Sequence, residues 1–174
     1  MYKKILIVGS PGSGKSTLAR KISEKTGHEL IHLDNEYWSD TWVATPREEF
    51  REKVAKLVEK DCWIMDGNYS NTFDIRLPAA DVVIFLDINR FVCLFSVISR
   101  HGKARPDIPN GCAEKFDKEF LDFLKYVLSF PKKNRQKILN LLSAYPEKPV
   151  ITVKTRKQAN DLAENCEKIL SQKA

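Results

Sequence analysis

Cysteine is sparse in this chain of 174 residues, and the four present, Cys62, Cys93, Cys112 and Cys166, show no Cys-x-x-Cys spacing. A disulfide scaffold and a thiolate metal cluster are both excluded, and the cysteines read as small reduced residues, mostly in apolar surroundings. Histidine is rarer still: His28, His32 and His101 form no ligand set with one another or with the cysteines, which removes zinc. No apolar run approaches the roughly 20 residues that span a bilayer. The run at the N-terminus stops after Ile5-Leu6-Ile7-Val8, too short for the apolar part of a signal peptide, so a cytoplasmic protein without membrane contact is expected. Neither sign of charge dominates: 29 Lys and Arg against 23 Asp and Glu leave a net charge of +6. That balance suits a protein handling phosphate esters and does not demand nucleic acid. Repeats, low-complexity tracts and linkers are also missing, and the length fits one core, so residues 1–174 are expected to form a single domain.

Glycine is scarce as well, with seven in the chain, yet three of them fall in Gly9-Ser10-Pro11-Gly12-Ser13-Gly14-Lys15-Ser16, with Thr17 following. This stretch fits the phosphate-loop pattern G-x-x-x-x-G-K-[ST] in full. A loop that wraps a pyrophosphate turns its backbone N–H groups inward, and glycine reaches the angles required without penalty. Lys15 adds a mobile point charge for the β- and γ-phosphates. Ser16 offers a hydroxyl to Mg²⁺, and the helix opening near Gly14 turns its positive end toward the same anion. The context also fits: Ile5 to Val8 reads as a strand buried on both faces, Leu18, Ala19 and Ile22 share one helical face, and Gly27 stops that helix.

Further along, Glu29-Leu30-Ile31-His32-Leu33-Asp34 is expected to be the second strand, ending in a carboxylate. An irregular stretch with Tyr37, Trp38 and Trp42 follows, whose rings either cover the sheet end or meet a ligand. Thr45-Pro46-Arg47-Glu48 predicts a capping box opening a helix to about Lys60. Two runs, Cys62-Trp63-Ile64-Met65-Asp66-Gly67 and Val82-Val83-Ile84-Phe85-Leu86-Asp87, each end in an acid able to hold Mg²⁺ beside the phosphate loop. Asp66 is favoured, because a polar loop, Gly67 to Thr72, follows it, whereas Asp87 has a ready role as a cap for the helix carrying Phe91, Leu94, Phe95 and Ile98.

The stretch from Arg100 through Arg105 to Asp107 concentrates positive charge and reads either as a mobile basic lid, about residues 100–112, or as a solvated helix end. An amphipathic helix through Phe116 to Leu128 is expected to stop at Pro131. The run Lys132 to Lys137 reads as a solvated face, with Arg135 as the alternative phosphate contact. Pro149 to Val153 is the last strand, Thr155 with Gln158 caps the final helix, and Lys154 to Arg156 is a place for adenine contacts.

Strands alternating with helices predict an α/β, three-layer P-loop NTPase fold: a five-stranded parallel sheet, helices on both faces, and a small basic lid. Ligands in such sheets sit beyond the carboxyl ends of the strands, where the phosphate loop, Asp34, Asp66 and the loop after Asp87 all lie.

The chain resembles small P-loop kinases of the adenylate kinase-like group in Trp63-Ile64-Met65-Asp66-Gly67, and Arg100 with Arg105 is similar to their lid arginines. His32-Leu33-Asp34 with Trp38, then Asp66-Gly67-Asn68-Tyr69, and then Arg105-Pro106-Asp107 with Gly111-Cys112 resemble the DNA topology modulation (FlaR-related) proteins. That likeness runs through most of the chain. It implies ATP binding and a kinase-type fold, and the family name implies an effect on DNA topology. Asn68-Tyr69 stands where adenylate kinases carry Pro-Arg, so Arg47 or Arg76 would have to grip an acceptor phosphate. The acid at the end of the second strand is similar to small-metabolite kinases, in which a carboxylate orients an acceptor hydroxyl.

The function that follows is transfer of the ATP γ-phosphate to a small nucleotide or hydroxylated metabolite. Gly9 to Thr17 would hold ATP, and Ser16 with Asp66 would hold Mg²⁺. Lys15 with Arg100 or Arg105 would meet the developing charge. Asp34, Trp38, Asn68 and Tyr69 would face the acceptor. The alternatives are a nucleotide-dependent regulator associated with DNA, resting on Lys132 to Lys137, and an NTPase without an acceptor.

Overall fold

Alternation along Lys4–Gly9 (β1) sends Ile5 and Ile7 to one face of a sheet and Leu6 and Val8 to the other, all four with no exposure to solvent. A strand apolar on both sides belongs in the middle of a sheet covered by helices. The structure, a computed structural model, describes residues 2–39, 43–102 and 118–171. Among these, Glu29–His32 (β2), Trp63–Asp66 (β3), Val82–Leu86 (β4) and Val150–Val153 (β5) join β1 in one five-stranded sheet of order β2-β3-β1-β4-β5. Every pairing is parallel, as expected.

The described helices, in chain order, are Lys15–Thr26 (α1), Leu33–Tyr37 (α2), Arg47–Val58 (α3), Phe73–Ala79 (α4), Arg90–Arg100 (α5), Lys118–Phe130 (α6), Gln136–Ser143 (α7), Arg156–Glu164 (α8) and Cys166–Ser171 (α9). Leu18, Ile22, Val97, Val127, Leu162 and Leu170 bring α1, α5, α6, α8 and α9 onto the face carrying Ile5 and Ile7. Phe50, Val54, Leu77, Ile138 and Leu142 bring α3, α4 and α7 onto the opposite face. Three layers result, and all carboxyl strand ends share one edge. No described helix is long and apolar enough to cross a membrane.

Local structure departs from expectation at several points. β2 stops at His32, and Asp34 sits in the single turn of α2. Helix α3 begins at Arg47 after Pro46, with no side-chain cap, and ends at Val58. Thr45 instead donates its hydroxyl to the Tyr37 carbonyl at 2.9 Å, pinning the aromatic stretch to the helix start. Proline at 131 does not end the helical course: Pro131–Arg135 forms a π-helical turn joining α6 to α7. A wider turn accommodates a residue that lacks an N–H and crowds the preceding turn. The last helix is broken at Asn165, although its predicted start holds, with Thr155 Oγ1 accepting from Gln158 N at 3.1 Å and Gln158 Oε1 from Lys154 N at 2.8 Å.

Candidate functional site

The phosphate loop leaves β1 at Gly9 and turns tightly, with Ser13 N donating to the Ser10 carbonyl at 3.1 Å. Gly12 has φ +75° and packs its Cα against the Cys93 carbonyl of α5, where a Cβ would not fit. Glycine is required there on both counts. Gly14 caps α1, whose first turn carries no acid, so the positive helix end faces the loop unopposed. Lys15 lays its Nζ 3.1 Å from the Ser10 carbonyl inside the loop. Burial pulls the Lys15 pKa below its ordinary value, and the charges of Asp66 and Asp34 oppose that shift. Asp66 ends β3 beside β1 and β2, and Asp34 follows the end of β2, so both acids stand at the sheet edge from which the phosphate loop leaves. The Ser13 hydroxyl is buried with no partner among the described residues.

Asp66 closes β3 opposite Ile7 of β1 and His32 of β2. It is 5% exposed; Oδ2 lies 3.2 Å from His32 Nδ1, and Oδ1 is buried with no partner among the described residues. His32 is a site residue that sequence reasoning missed, since only the strand order places it beside Asp66. The rival acid is otherwise engaged: Asp87 accepts from Arg135 Nε at 2.9 and 3.0 Å and from Nη2 at 2.8 Å. This corrects two expectations. Asn89, not Asp87, caps α5 by accepting from Phe91 N at 2.9 Å, and Arg135 anchors the π turn to the end of β4 with a raised pKa, its hydrogen bonds to Asp87 being the cause.

The segment after Asp66 is organised from below by Arg76. Its side chain is fully buried and donates to Thr72 Oγ1 at 2.9 Å and to the carbonyls of Gly67, Asn68 and Tyr69 at 2.9, 2.6 and 3.0 Å. Burial lowers its pKa from the ordinary guanidinium value, against the opposing charge of Asp66. The expectation that Arg76 grips an acceptor phosphate is therefore corrected, because its fork is spent on main-chain carbonyls. Asn68 is corrected in the same way: its carboxamide donates to the Gly9 carbonyl at 2.8 Å and accepts from Gly9 N at 3.0 Å. Tyr69, at φ +24°, donates its hydroxyl to Asp34 Oδ1 at 2.6 Å. Burial and the neighbouring Asp34 push the Tyr69 pKa well above the phenol range.

Trp38 packs edge-on against Tyr37 at 4.9 Å, and Tyr37 in turn meets Phe50 and Tyr69 at 5.0 and 4.9 Å. The aromatic stretch thus walls the Asp34 side of the site. Arg47 is exposed and lies within electrostatic reach of Asp74. Arg100 ends α5 close enough to act on the Lys15 charge. Arg105 and Trp42, and nearly all of the expected lid, lie outside the described residues. Beside the loop, Arg156 Nη2 donates to the Gly12 carbonyl at 2.8 Å and to Ser96 Oγ at 2.6 Å. Together with Ser13, Thr17, Lys21 and Asn160 it lines a shallow hollow; of the segment Lys154 to Arg156, expected to meet the base, only Arg156 borders it.

Residues 5–87 match the family described as "ATPase family associated with various cellular activities (AAA)". The chain is similar to the uncharacterized protein YqaC of Bacillus subtilis (strain 168), 36% identical over 91 residues covering 49% of each chain. It is also similar to a shikimate kinase of Mycobacterium leprae (strain TN), 34% identical over 103 residues covering 51% of this chain and 52% of that one. The chain spans about half the length of the curated relatives it matches. Among solved structures, shikimate kinase from Bacteroides thetaiotaomicron superposes with a TM-score of 0.60 at 19% identity, covering 99% of this chain and 100% of that one. The strand order, the glycine-rich turn and this superposition together make the architecture a P-loop NTPase fold of the kind seen in shikimate kinase.

Proposed function

We propose that the protein is an ATP-dependent phosphotransferase that moves the γ-phosphate of ATP to a hydroxyl of a small acceptor. The observation that carries this reading is that the phosphate loop with Lys15, Asp66 at the end of β3 and Asp34 just beyond β2 all stand at the carboxyl edge of one parallel sheet. Loop amides and Lys15 would take the β- and γ-phosphates, with Arg100 drawn to the charge that develops on transfer. Asp34, gripped on Oδ1 by Tyr69, would orient the acceptor hydroxyl or take its proton. In the transfer itself the acceptor oxygen bonds to the γ-phosphorus, the bond to the ADP oxygen breaks, and the hydroxyl proton leaves to Asp34 or to water. Trp38 and Tyr69 would pack against the acceptor, and Arg47, exposed at the start of α3, would meet its charged group if it carries one.

The residues present fit Mg²⁺. Asp66 keeps one buried oxygen without a partner among the described residues while His32 holds the other, and Ser16 stands in the first turn of α1. Among the described residues no group of three or more His, Cys, Asp or Glu could hold a metal. The free Asp66 oxygen, the Ser16 hydroxyl and the nucleotide's own phosphates would supply the oxygen ligands such an ion takes. When bound, the ion neutralises charge on the β- and γ-oxygens.

Thermal shift and transfer assays test the proposal. MgATP should raise the melting temperature of the wild-type chain, and Lys15→Ala should abolish that rise. A γ-phosphate transfer screen over nucleosides, nucleotides, sugars and other hydroxylated metabolites should yield one phosphorylated product. An undiminished rise in Lys15→Ala would remove the loop from the mechanism, and phosphate release that no compound redirects would replace the kinase by an NTPase.

A further inference from the structure

β1 and β3 run in register as far as Ile7 opposite Asp66, and Gly67 N still reaches the Ile7 carbonyl at 3.3 Å. At Gly67, where φ is +145°, the main chain turns away, and the next rung on this side of β1 is filled by a side chain. Asn68 Oδ1 accepts from Gly9 N at 3.0 Å and Nδ2 donates to the Gly9 carbonyl at 2.8 Å. A carboxamide presents the donor and acceptor of a peptide group, so the ladder is extended by one residue without a strand to extend it. The residue so held is the first of the phosphate loop. Its opposite flank is already fixed, because Gly9 lies against Leu86 of β4.

The main chain released by this substitution has a destination. The Asn68 carbonyl is taken by Arg76, and one residue later Tyr69 delivers its hydroxyl to Asp34. We propose that Asn68 is a positioning residue: its side chain holds Gly9 in the conformation that receives the nucleotide's phosphates, while its main chain steers Tyr69 onto the acceptor carboxylate. The inference rests on the phosphate-loop reading above. It also explains the residue type. Aspartate would lose the donor and set a negative charge beside a loop built for an anion, alanine would leave both Gly9 groups without their partner, and glutamine is one methylene too long for the rung.

Calorimetric titration of the full chain with MgADP tests this, with melting temperatures recorded alongside. Asn68→Ala should weaken MgADP binding about tenfold, on the order of the loss of two partly buried hydrogen bonds. Asn68→Asp, which keeps an acceptor for Gly9 N but adds the charge, should weaken it more, and Asn68→Ser, whose hydroxyl is too short for the rung but can hold a bridging water, serves if the larger changes prevent folding and should weaken it less. The control is Arg51→Ala, which removes an anchor to Asp74 and the Asn71 carbonyl on the same loop without touching Gly9. It should lower the melting temperature and leave the MgADP Kd within about twofold. Asn68 variants that bind as wild type, or Kd values that simply follow melting temperature across all variants including Arg51→Ala, would overturn the assignment. A wild-type chain that binds no MgADP would instead remove the phosphate-loop reading itself.

Discussion

Arg76→Met takes the guanidinium out of a site with no solvent access and leaves three carbonyls, those of Gly67, Asn68 and Tyr69, without their donor. Hydrogen bonds to a charged group are worth about 1.5–3 kcal/mol each, but releasing a buried cation into water offsets much of that sum. Methionine fills most of the space, so the cavity cost is small. Each buried carbonyl left without a donor costs about 1–3 kcal/mol, so three of them, less that offset, leave a net loss of about 3–5 kcal/mol. At roughly 2–4 °C per kcal/mol for a chain of this size, melting should fall by about 6–20 °C. Urea unfolding should show the same loss as a shifted midpoint with an unchanged slope. Arg76→Lys should recover less than half, because one ammonium cannot reproduce a planar fork aimed at separate carbonyls and Thr72. A loss below about 1 kcal/mol, or full recovery by lysine, would refute the argument that this fork holds the 67–72 segment.

The two strand-end acids should separate cleanly. Asp66→Asn is expected to remove the magnesium dependence of the ATP-induced melting shift, whereas Asp87→Asn should preserve it and cost under about 1 kcal/mol, since its partner Arg135 is 40% exposed. The opposite pattern in a thermal-shift titration with and without Mg²⁺ would exchange their roles. Tyr69 carries a pH prediction. Its folded pKa lies above the ordinary phenol value, so the folded state keeps a proton that the unfolded state loses, and stability should fall as pH rises beyond about 10. Urea midpoints of Tyr69→Phe should decline less steeply than wild type between about pH 9.5 and 11, and parallel curves would exclude this contribution.

Several contacts at the site were illegible in the chain for one reason: their partners lie far apart. Asn68 and Gly9 are 59 residues apart, Asp87 and Arg135 are 48, and Asp66 and His32 are 34. The polar loop after Asp66 favoured it over Asp87, and the structure leaves one Asp66 oxygen without a partner among the described residues while Arg135 takes Asp87; the cap expected of Asp87 is made by Asn89 instead. Arg76 misled for a related reason. An arginine one helical turn beyond a polar loop looks like a ligand contact until the structure shows it buried, with four of its five donors spent on residues 67–72. Proline at 131 read as a stop, since local propensity cannot register the packing of Phe130 and Ile138 on one core that carries the helix through it.

By itself, the order of residues determined the glycine-rich turn, the buried strands and the class of sheet, because each depends on backbone freedom and side-chain periodicity within a dozen neighbouring residues. Only the tertiary structure decided which acid stays available, which arginines are spent internally and which side chain stands in for a strand. Those outcomes depend on what parallel pairing brings together across the sheet, and burial there makes a partnered charge and an unpartnered one entirely different chemical groups.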